Sequence, residues 1–437
     1  MDVHPAGMTE RPSADAPAAD RQAWAAARLR TALLDLERLG RPLNAVVAAI
    51  PDPPRASDGP LLGMPVAVKD MIDVEGHARG NGNPEDMAGP AAVADAPVVQ
   101  RLRAAGADVF ALAALLEYAA GAQHPELPEA RNPIVPERTA GGSSGGSAAL
   151  VGAGVCDAAL GTDTGGSIRL PAHYCAVVGL KPTYGVIPVE GVQPLSPTLD
   201  HVGVIGVDVA ATGLVFEAIT GRPAGAAPGR LRIGVLADQL ADPCLDAEVR
   251  DIVVDAIQRL RDGAEVEDRD GRALGALNDV IGDIIHYEAW QVHGETMTAR
   301  PEHFGAPTAR LFAASASVDE ARYRHALAER SALLGPALAV LEGLDILVGP
   351  AAPYTAPVVS PPGDTPQGAI EGIFTAPYNV TGQPAIVIPC GVTAEGLPVG
   401  LQLAAAPGQD AFLLAAASVV EGMLAARAES AHADAAT

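Results

Sequence analysis

Two clusters of glycine and serine contain the residues best suited to nucleophilic chemistry. They lie in the stretch GGSSGGSAALVGAGVCDAALGTDTGGSIRLP, from Gly141 to Pro171, and apolar sequence follows each cluster closely. This pattern predicts ordered loops that lead into helices or strands, whereas a flexible linker would stay polar. The segment TDTGGS places consecutive backbone N–H groups before Ser167. Because such donors form an oxyanion hole when a serine attacks a carbonyl, Ser167 is the candidate nucleophile.

A serine nucleophile needs a base, and lysine is the candidate for that role. The sequence contains only Lys69 and Lys181, and arginine supplies the other 27 of its 29 basic residues. Unlike arginine, lysine can lose its proton when burial lowers its pKa. Lys69 ends the apolar run of GMPVAVKD, whose alternation indicates a buried strand; the alternative is a strand-end ammonium in solvent. None of the ten histidines has triad or metal spacing, so we expect His124, His173 and His201 to be structural.

Two competing motifs fit the glycine-rich stretch less well. Residues Gly142 to Gly146 match the GxSxG elbow of α/β-hydrolases, which would make Ser144 the nucleophile. That elbow requires a strand directly before it, but residues 135–140 contain a proline and charged side chains and do not predict one. Neither GxxxxGK[ST] nor GxGxxG occurs, so nucleotide binding is not expected.

Composition limits the class of protein further. The 437 residues are 49% hydrophobic, which is enough to bury a large core. The net charge of −24 disfavours nucleic acid and anionic membranes as partners. Four widely spaced cysteines without CxxC spacing argue against zinc and disulfides, and for reduced thiols. The N-terminal stretch lacks a secretory pattern and no apolar run is long enough to span a bilayer, so we predict a cytoplasmic protein.

The elements that must position these residues follow an alternating pattern. It predicts one α/β domain over residues 20–426 with a parallel or mixed sheet, and flexible segments at 1–19 and 427–437. A connector is predicted at 221–229. The expected strands are 64–69, 108–112, 231–236, 345–348, 385–388 and 397–404, and the expected helices include those starting after Asp20 and at 97–105, 246–260 and 410–425.

Four segments in order carry a resemblance to a known family. GMPVAVKDMIDV, GGSSGGSAA, ALGTDTGGSIRLPA and VVGLKPTYG resemble the characteristic segments of the amidase signature hydrolases. The similarity extends more loosely from about Leu29 to Glu421 and includes FTAPYNVTGQPAIVIPCG and GLPVGLQL. It implies the amidase signature fold, an α/β architecture with a large central twisted mixed β-sheet covered by helices on both faces. The signature core would span about 61–220.

The resemblance also implies a Ser-cisSer-Lys site. Ser167 would be the nucleophile, Ser143 the bridging serine after a cis Gly142–Ser143 peptide bond, and Lys69 the general base. The same resemblance implies an oxyanion hole made by the backbone N–H groups of Thr164, Gly165, Gly166 and Ser167, with Asp163, Arg169, Gly142 and Ser144 supporting the site.

The activity implied is hydrolysis of a carboxamide through a serine acyl-enzyme, with no metal or organic cofactor. The expected partner is a small-molecule amide, carbamate (urethane) or ester, bound by a monomer or homodimer that contacts neither nucleic acid nor membrane. Two alternatives remain open. One is the glutamine-hydrolysing A-subunit of a tRNA-dependent amidotransferase, and the other is a catalytically silent binding or scaffold protein.

Two departures from the family pattern concern specificity. Ala113-Ala114 stands where the family usually has Lys-Thr, before a shortened loop, and Val204 stands where proline is common. We expect substrate selection in the helical region of about 275–335 and in the loop near 351–378. The helical region contains aromatic and arginine residues that would either contact substrate or be packing and surface residues. They are HYEAW (residues 286–290), Arg300, His303, Phe304 and Arg310.

Overall fold

An eleven-stranded mixed sheet forms the centre of the molecule. The computed structural model describes residues 12–13, 16–223, 225–227 and 229–435, with side chains described up to residue 425. The strands are β1 Val46–Ala49, β2 Pro65–Lys69, β3 Asp108–Ala113, β4 Ala158–Asp163, β5 Val178–Lys181, β6 His201–Gly206, β7 Arg232–Leu236, β8 Glu265–Arg269, β9 Ile346–Pro350, β10 Ala385–Val392 and β11 Pro398–Ala404.

Helices lie between successive strands in most intervals, the exceptions being β1 to β2, β5 to β6 and β10 to β11. They are α1 Ala18–Asp35, α2 Pro84–Met87, α3 Pro97–Ala104, α4 Gly145–Gly152, α5 Arg169–Cys175, α6 Val209–Thr220, α7 Ala237–Leu240, α8 Ala247–Leu260, α9 Arg272–Gly275, α10 Asn278–Ala299, α11 Ala306–Ser315, α12 Glu320–Ala339, α13 Pro366–Glu371, α14 Pro377–Val380 and α15 Asp410–Ala435. A π-helical turn follows α1 at Leu36–Gly40, and short 3-10 turns lie at Glu117–Ala119 and Pro301–His303.

The sheet is mixed, as the sequence predicts. Its strand order is β1-β3-β2-β4-β6-β5-β10-β11-β9-β7-β8. Strand β2 runs parallel to β3 and β4, and β7 runs parallel to β8 and β9. The remaining neighbouring pairs are antiparallel. Helix-containing crossovers therefore alternate with direct returns, which is the pattern of an α/β fold.

Alternating side chains of the strands build a separate core on each face of the sheet. In β2, Val66 and Val68 belong to one buried cluster, and Ala67 belongs to the other. Successive side chains of a strand point to opposite faces, so each cluster marks one face. Helices α3, α6, α8 and α15 contribute to the first cluster, and α1, α4 and α5 contribute to the second. Both faces of the sheet are thus covered by helices.

Helices α9 to α12 form an additional layer over residues 272–339. Its apolar side chains, including Val280 and Ile284, pack against Leu236 and Leu347 at the ends of two strands. This layer coincides with the region in which we expect substrate selection.

Every expected strand is present close to its expected bounds, but β1, β4, β5, β6 and β8 are strands that the apolar pattern does not predict. Further differences lie at the termini. Helix α1 begins at Ala18, and residues 1–11, 14 and 15 of the predicted flexible segment lie outside the described residues. The closing helix α15 continues past the predicted end at Ala425 to Ala435, into the stretch expected to be flexible. Residues 436–437 lie outside the description as well. In the part of the chain that is described, no helix is long and apolar enough to cross a membrane.

Candidate active site

Two segments meet at one edge of the sheet because β2 and β4 are parallel neighbours. Val68 pairs with Leu160, so the carboxyl ends of both strands lie side by side. Lys69 is the last residue of β2, and β4 ends at Asp163, directly before the segment Thr164–Ser167. Ligand sites of α/β sheets form at such carboxyl ends. The fold therefore brings together two segments that are far apart in the sequence.

The amine of Lys69 lies in a buried cage of hydroxyl groups. Its side chain is fully buried, and Nζ lies 2.7 Å from Ser143 Oγ, 3.0 Å from Ser144 Oγ and 2.7 Å from Thr162 Oγ1. Burial lowers the pKa of Lys69 from 10.5 to about 7, although the charges of nearby Asp163 and Asp200 act in the opposite direction. The sequence-based alternative of an ammonium in solvent is therefore wrong. A neutral amine is accessible near pH 7.

The surrounding hydrogen bonds indicate which hydroxyl gives its proton to this amine. A neutral amine has two N–H donors and one lone pair. Ser144 Oγ already donates to the Thr162 carbonyl at 3.1 Å, and Thr162 Oγ1 donates to Met71 Sδ at 3.2 Å. These two oxygens are thus left to accept the amine N–H groups. Of the three hydroxyls around Lys69, only Ser143 remains to donate to the lone pair.

Ser143 follows the cis peptide bond that the resemblance implies. The bond joins Gly142 and Ser143, and the Ser143 carbonyl accepts a hydrogen bond from the Leu116 N–H at 3.2 Å. A side chain at position 142 would collide with Leu116, because an added Cβ would lie 2.1 Å from Leu116 Cδ1. Glycine at this position therefore allows the loop to pack against Leu116, which lies in the segment that follows β3.

Ser144 has no exposed hydroxyl with which to attack a substrate. Its side chain is completely buried, and the preceding residues do not form a strand. Ser144 instead precedes α4, and its backbone N–H donates to the Ser167 carbonyl at 3.1 Å. This bond ties the two glycine-serine clusters together beside Ser143 and Ser167. The GxSxG elbow is thus a chance match.

Ser167 is partly exposed at the start of the segment that leads into α5. No hydrogen bond joins its hydroxyl to Ser143, where both residues are described. Within the same described part, the backbone N–H groups of Thr164, Gly165, Gly166 and Ser167 also have no hydrogen-bond acceptor. Unpartnered backbone donors are rare away from solvent or ligand. Four of them around one partly exposed hydroxyl fit the binding of an anionic oxygen.

Contacts on the far side of the loop orient these donors. Thr375 Oγ1 donates to the Gly165 carbonyl at 2.7 Å. Because a trans peptide holds its C=O and N–H in opposite directions, the Gly166 N–H points away from Thr375. Gly166 has φ +142°, and an added Cβ would lie 2.3 Å from Thr375 Oγ1. An added Cβ at Gly165 would meet no atom within 4 Å, which marks open space on that side of the loop.

A buried ion pair braces the loop from below. Asp163 and Arg169 are both fully buried, with Asp163 Oδ1 2.9 Å from Arg169 Nη2. Burial acts to raise the pKa of Asp163, but the charge and hydrogen bonds of Arg169 hold it well below its usual range. Arg169 Nη1 also donates to the Thr375 carbonyl at 2.7 Å and to Gln402 Oε1 at 2.9 Å. Asn379 Nδ2 donates to Asp163 Oδ1 at 2.9 Å.

The other basic residues serve packing. Lys181 is buried and donates to the carbonyls of Pro182 and Gln383 at 2.9 and 2.6 Å. His173 Nδ1 accepts from the Gly400 N–H at 2.9 Å, and burial lowers its pKa to about 4. His201 Nδ1 lies 2.6 Å from the Leu199 carbonyl. No group of three or more His, Cys, Asp or Glu in the described ranges could hold a metal ion.

The polar residues expected at the entrance are paired with other side chains. Arg300 binds Glu85, and Arg310 Nε lies 3.2 Å from Asp364 Oδ2. These contacts fit the interpretation of Arg300 and Arg310 as packing and surface groups. The aromatic residues nearby also contact protein partners: His303 Nε2 lies 2.8 Å from Tyr118 Oη, and the Phe304 ring lies 5.3 Å from the Tyr118 ring.

The sequence analysis missed two residues that contact the candidate site. Thr162 completes the cage around Lys69, and Asp200 accepts a hydrogen bond from Thr164 Oγ1 at 2.6 Å. Thr162 lies within the segment ALGTDTGGSIRLPA, so its place in a conspicuous motif was a usable signal. Asp200 offered none, because only folding brings it beside Thr164.

Comparison with known proteins settles the family. A family model described as Amidase matches residues 45–414. The chain belongs to the amidase signature family. It is 36% identical over 400 residues to the A-subunit of the glutamyl-tRNA(Gln) amidotransferase from Symbiobacterium thermophilum, with 82% of each chain covered.

Solved structures of the family share the fold. The crystal structure of an amidase matches with a TM-score of 0.81 and 32% identity, covering 92% of this chain and 96% of that chain. A 6-aminohexanoate cyclic dimer hydrolase complexed with substrate matches with a TM-score of 0.82 and 27% identity, covering 92% and 94%. The amidase signature chain is thus a serine hydrolase that acts on C–N bonds. Of the functions expected from the sequence, similarity to an amidotransferase A-subunit supports the A-subunit alternative better than the free-standing amidohydrolase.

Proposed function

We propose that the chain hydrolyses a carboxamide with Ser167 as nucleophile, Ser143 as proton relay and Lys69 as general base. The observation that carries this proposal is the buried Lys69 amine, 2.7 Å from Ser143 Oγ and with a pKa lowered to about 7. A base with a pKa near the working pH is the most effective in proton transfer. The hydroxyl pattern around Lys69 supports Ser143 as the donor to it.

In the first half-reaction, Ser167 Oγ forms a bond to the carbonyl carbon of the amide. The Ser167 proton passes to Ser143 Oγ, and the Ser143 proton passes to the Lys69 amine. The carbonyl oxygen becomes an oxyanion, which the backbone N–H groups of the segment Thr164–Ser167 stabilise. The C–N bond then breaks as the Lys69 ammonium returns a proton through Ser143 to the leaving nitrogen. Ser167 is left as an ester.

In the second half-reaction, water takes the place of Ser167 as the attacking group. Its proton travels along the same relay to Lys69, and the same N–H groups hold the oxyanion. Collapse of the tetrahedral intermediate breaks the ester bond, and the proton returns to Ser167 Oγ. The products are a carboxylic acid and the free enzyme, with ammonia or an amine released in the first half.

The proposed substrate is the side-chain amide of glutamine, with ammonia delivered to a partner protein. This role is supported by the 36% identity to an amidotransferase A-subunit over 82% of both chains. A free-standing amidohydrolase is the second candidate, favoured by the 32% identity to a solved amidase. In that role, aryl amides, carbamates and esters are further expected substrates.

The proposal extends to the organisation of the chain. Residues 20–426 would form one domain whose signature core spans 61–220, with substrate selection in the layer at about 275–335. Four free cysteines support action in the cytoplasm, where thiols stay reduced. The A-subunit role requires a partner chain, whereas the second candidate would act as a monomer or homodimer.

A hydrolysis panel tests the proposal. Wild type and Ser167→Ala are compared on glutamine, an aliphatic amide, an anilide and a carbamate, with ammonia or amine release as the readout. Ser147→Ala is the matched control, because Ser147 Oγ is buried and donates to the Leu160 carbonyl at 2.9 Å, outside the site. We expect Ser167→Ala to abolish turnover and Ser147→Ala to retain it. Near-normal turnover by Ser167→Ala would overturn the nucleophile assignment.

The substrate pattern then separates the two roles. Preference for glutamine, together with co-purification of a second protein chain, supports the A-subunit role. Efficient cleavage of anilide or carbamate by the chain alone, with no activity on glutamine, supports the free-standing enzyme.

A further inference from the structure

A carboxylate on the outer helical layer makes an unusually complete set of buried contacts. Glu288 lies on α10 and is only 6% exposed. Its Oε1 accepts from Thr198 Oγ1 and Tyr323 Oη, both at 2.7 Å. Its Oε2 accepts from Ser196 Oγ at 2.6 Å and from the Thr198 N–H at 3.0 Å. A buried carboxylate is costly unless hydrogen bonds satisfy it, and here four donors do so.

The loop that Glu288 holds is fixed from its other side by Asp200. Asp200 Oδ2 accepts from the backbone N–H groups of Leu195 and Ser196, at 2.9 and 3.0 Å. Ser196 therefore binds Glu288 through its hydroxyl and Asp200 through its backbone. Tyr184 Oη adds a bond to the Pro197 carbonyl at 2.7 Å. Residues 195–199 thus connect α10 to Asp200 through side-chain and backbone hydrogen bonds.

The second oxygen of Asp200 extends this bridge to the candidate oxyanion loop. Asp200 Oδ1 accepts from Thr164 Oγ1 at 2.6 Å, and Thr164 precedes the unpartnered N–H groups of Gly165, Gly166 and Ser167. The charge of Asp200 also acts on Lys69, where it raises the amine pKa against the effect of burial. The Asp200 carboxylate therefore both contacts the oxyanion loop and raises the pKa of the Lys69 amine.

We propose that Glu288 is a positioning residue. It holds the oxyanion loop in place through residues 195–199 and then through Asp200, which binds Thr164. The proposal rests on the proposed function, in which the loop at Thr164–Ser167 stabilises the oxyanion. Through Glu288, the position of the helical layer expected to select substrate would affect the rate of the chemical step. A substrate or partner that shifts α10 would thereby change kcat.

Two substitutions at position 288 separate positioning from charge. Glu288→Met keeps the side-chain length but leaves the Thr198 N–H and the Ser196 hydroxyl without an acceptor. Glu288→Gln can retain all four contacts, because its carbonyl accepts from Ser196 and Thr198 N–H while the hydroxyls of Thr198 and Tyr323 rotate to accept from its amide. We expect kcat to fall about tenfold or more in Glu288→Met, with KM little changed, and to stay within about threefold of wild type in Glu288→Gln.

A double-mutant cycle with Thr164→Val tests the route of the effect. Thr164→Val removes the hydroxyl that binds Asp200 and keeps the shape of the side chain. If Glu288 acts through this contact, the double variant loses little more kcat than the more damaged single variant. Asp319→Asn is the control, because Asp319 caps α12 in the same layer by accepting from the Arg322 N–H at 2.9 Å. It should leave kcat unchanged.

Several outcomes would overturn the inference. They are multiplicative losses of kcat in the double variant, an effect on KM alone, or an equal loss in Asp319→Asn. If Glu288→Met does not fold, Tyr323→Phe removes a single bond to Glu288 and enters the same cycle. Turnover by Ser167→Ala would instead show that the proposed function itself fails. The two failures are therefore distinguishable.

Discussion

At the scale of single residues, the surroundings of Lys69 determine which chemistry the site supports. Among the described residues, three hydroxyls and no carboxylate contact the buried Lys69 amine, so it loses its charge more easily than a lysine in solvent. Asp163 and Asp200 act at longer range and limit the loss. The amine therefore titrates near neutral pH, where it can both accept and return a proton.

The first prediction concerns the pH dependence of catalysis. Since Lys69 must be neutral to accept a proton and its pKa is about 7, kcat/KM should rise with pH through a midpoint near 7. Asp200→Asn removes a charge that raises this pKa, so it should move the midpoint to lower pH. The exposed Asp270→Asn serves as control and should not move it. A midpoint that is unchanged in Asp200→Asn would contradict the electrostatic assignment.

The second prediction concerns stability. The folded pKa of Lys69, about 7, lies below the ordinary value of 10.5, so the unfolded chain binds more protons between these values. Stability from this group therefore rises as pH increases from about 7 towards 10.5. Urea unfolding of wild type and Lys69→Met at several pH values measures the difference. The free energy of unfolding of Lys69→Met should exceed that of wild type most at or below pH 7, and the excess should shrink above pH 7. A difference that does not change with pH would argue against a lowered pKa of Lys69.

The sequence predicts the residues of the site better than their contacts. Lys69 and Ser167 are identifiable because lysine is rare in this chain and the donor-rich segment TDTGGS leads to Ser167, whereas Ser143 is assigned through the family resemblance. Thr162 lies in a conspicuous motif and Glu288 in the segment HYEAW, but their contacts depend on strand register and on the packing of α10 against a loop. No pattern in a single sequence encodes those distances.

At the scale of elements, the loop between β4 and α5 depends on two glycines for different reasons. Gly166 has φ +142° and packs against Thr375, so any side chain there is strained and collides. Gly165 faces open space, so a methyl group fits but projects to the side left open for a ligand. The sequence alone gives both glycines the same importance.

The third prediction separates these two glycines. Gly166→Ala should lower the free energy of unfolding and abolish turnover, because the loop must move. Gly165→Ala should keep the thermal midpoint of wild type while reducing kcat/KM for bulky amides more than for small ones. Thermal denaturation and kinetics on two amides of different size provide the measurements. Equal stability of both variants would show that the loop tolerates a side chain at position 166.

The fourth prediction concerns the ion pair beneath the loop. Arg169→Met leaves the buried Asp163 carboxylate without its cation, which should cost about 3–5 kcal/mol of unfolding free energy. Arg272→Met removes an arginine that pairs with Asp270 on the surface and should leave stability unchanged. Urea titration of both variants tests the contrast. A small loss in Arg169→Met would mean that Asn379 and the Ile168 N–H satisfy Asp163 without a cation.

The sequence predicts a strand where its apolar run is continuous, whatever its place in the sheet; the central strands β4, β5 and β6 and the edge strand β8 are not among the expected strands. Strand β2 is a continuous apolar run with all residues buried, and the sequence locates it almost to the residue. Edge strand β8 reads Glu-Val-Glu-Asp-Arg and is largely exposed, so it lacks an apolar signal. Its place is set by pairing with β7, which hydrophobic pattern cannot reveal.

At the scale of the whole molecule, charge constrains the role in an amidotransferase. A net charge of −24 repels the phosphates of RNA, although the A-subunit role concerns a reaction on tRNA. A partner protein would therefore have to supply the tRNA contacts, and the amidase chain would contribute ammonia alone.

The fifth prediction follows from this charge. The isolated chain should show no binding of labelled tRNA in fluorescence anisotropy at physiological salt, up to about 10 µM protein. Lowering the salt should not create strong binding. A Kd below about 10 µM that weakens steeply with salt would reveal a basic surface on an acidic protein and contradict the expectation.

Because both lysines are buried, the side chains of the native protein should not react with amine-specific reagents. Lys69 and Lys181 are the only lysines in the sequence, and neither is exposed. Acylating dyes, amine-reactive resins and a protease that cleaves after lysine should not react at Lys69 or Lys181 in the folded protein. Each should react once the fold opens, so that labelling or cleavage at Lys69 reports, in a single gel lane, the fraction of molecules that have lost their native structure.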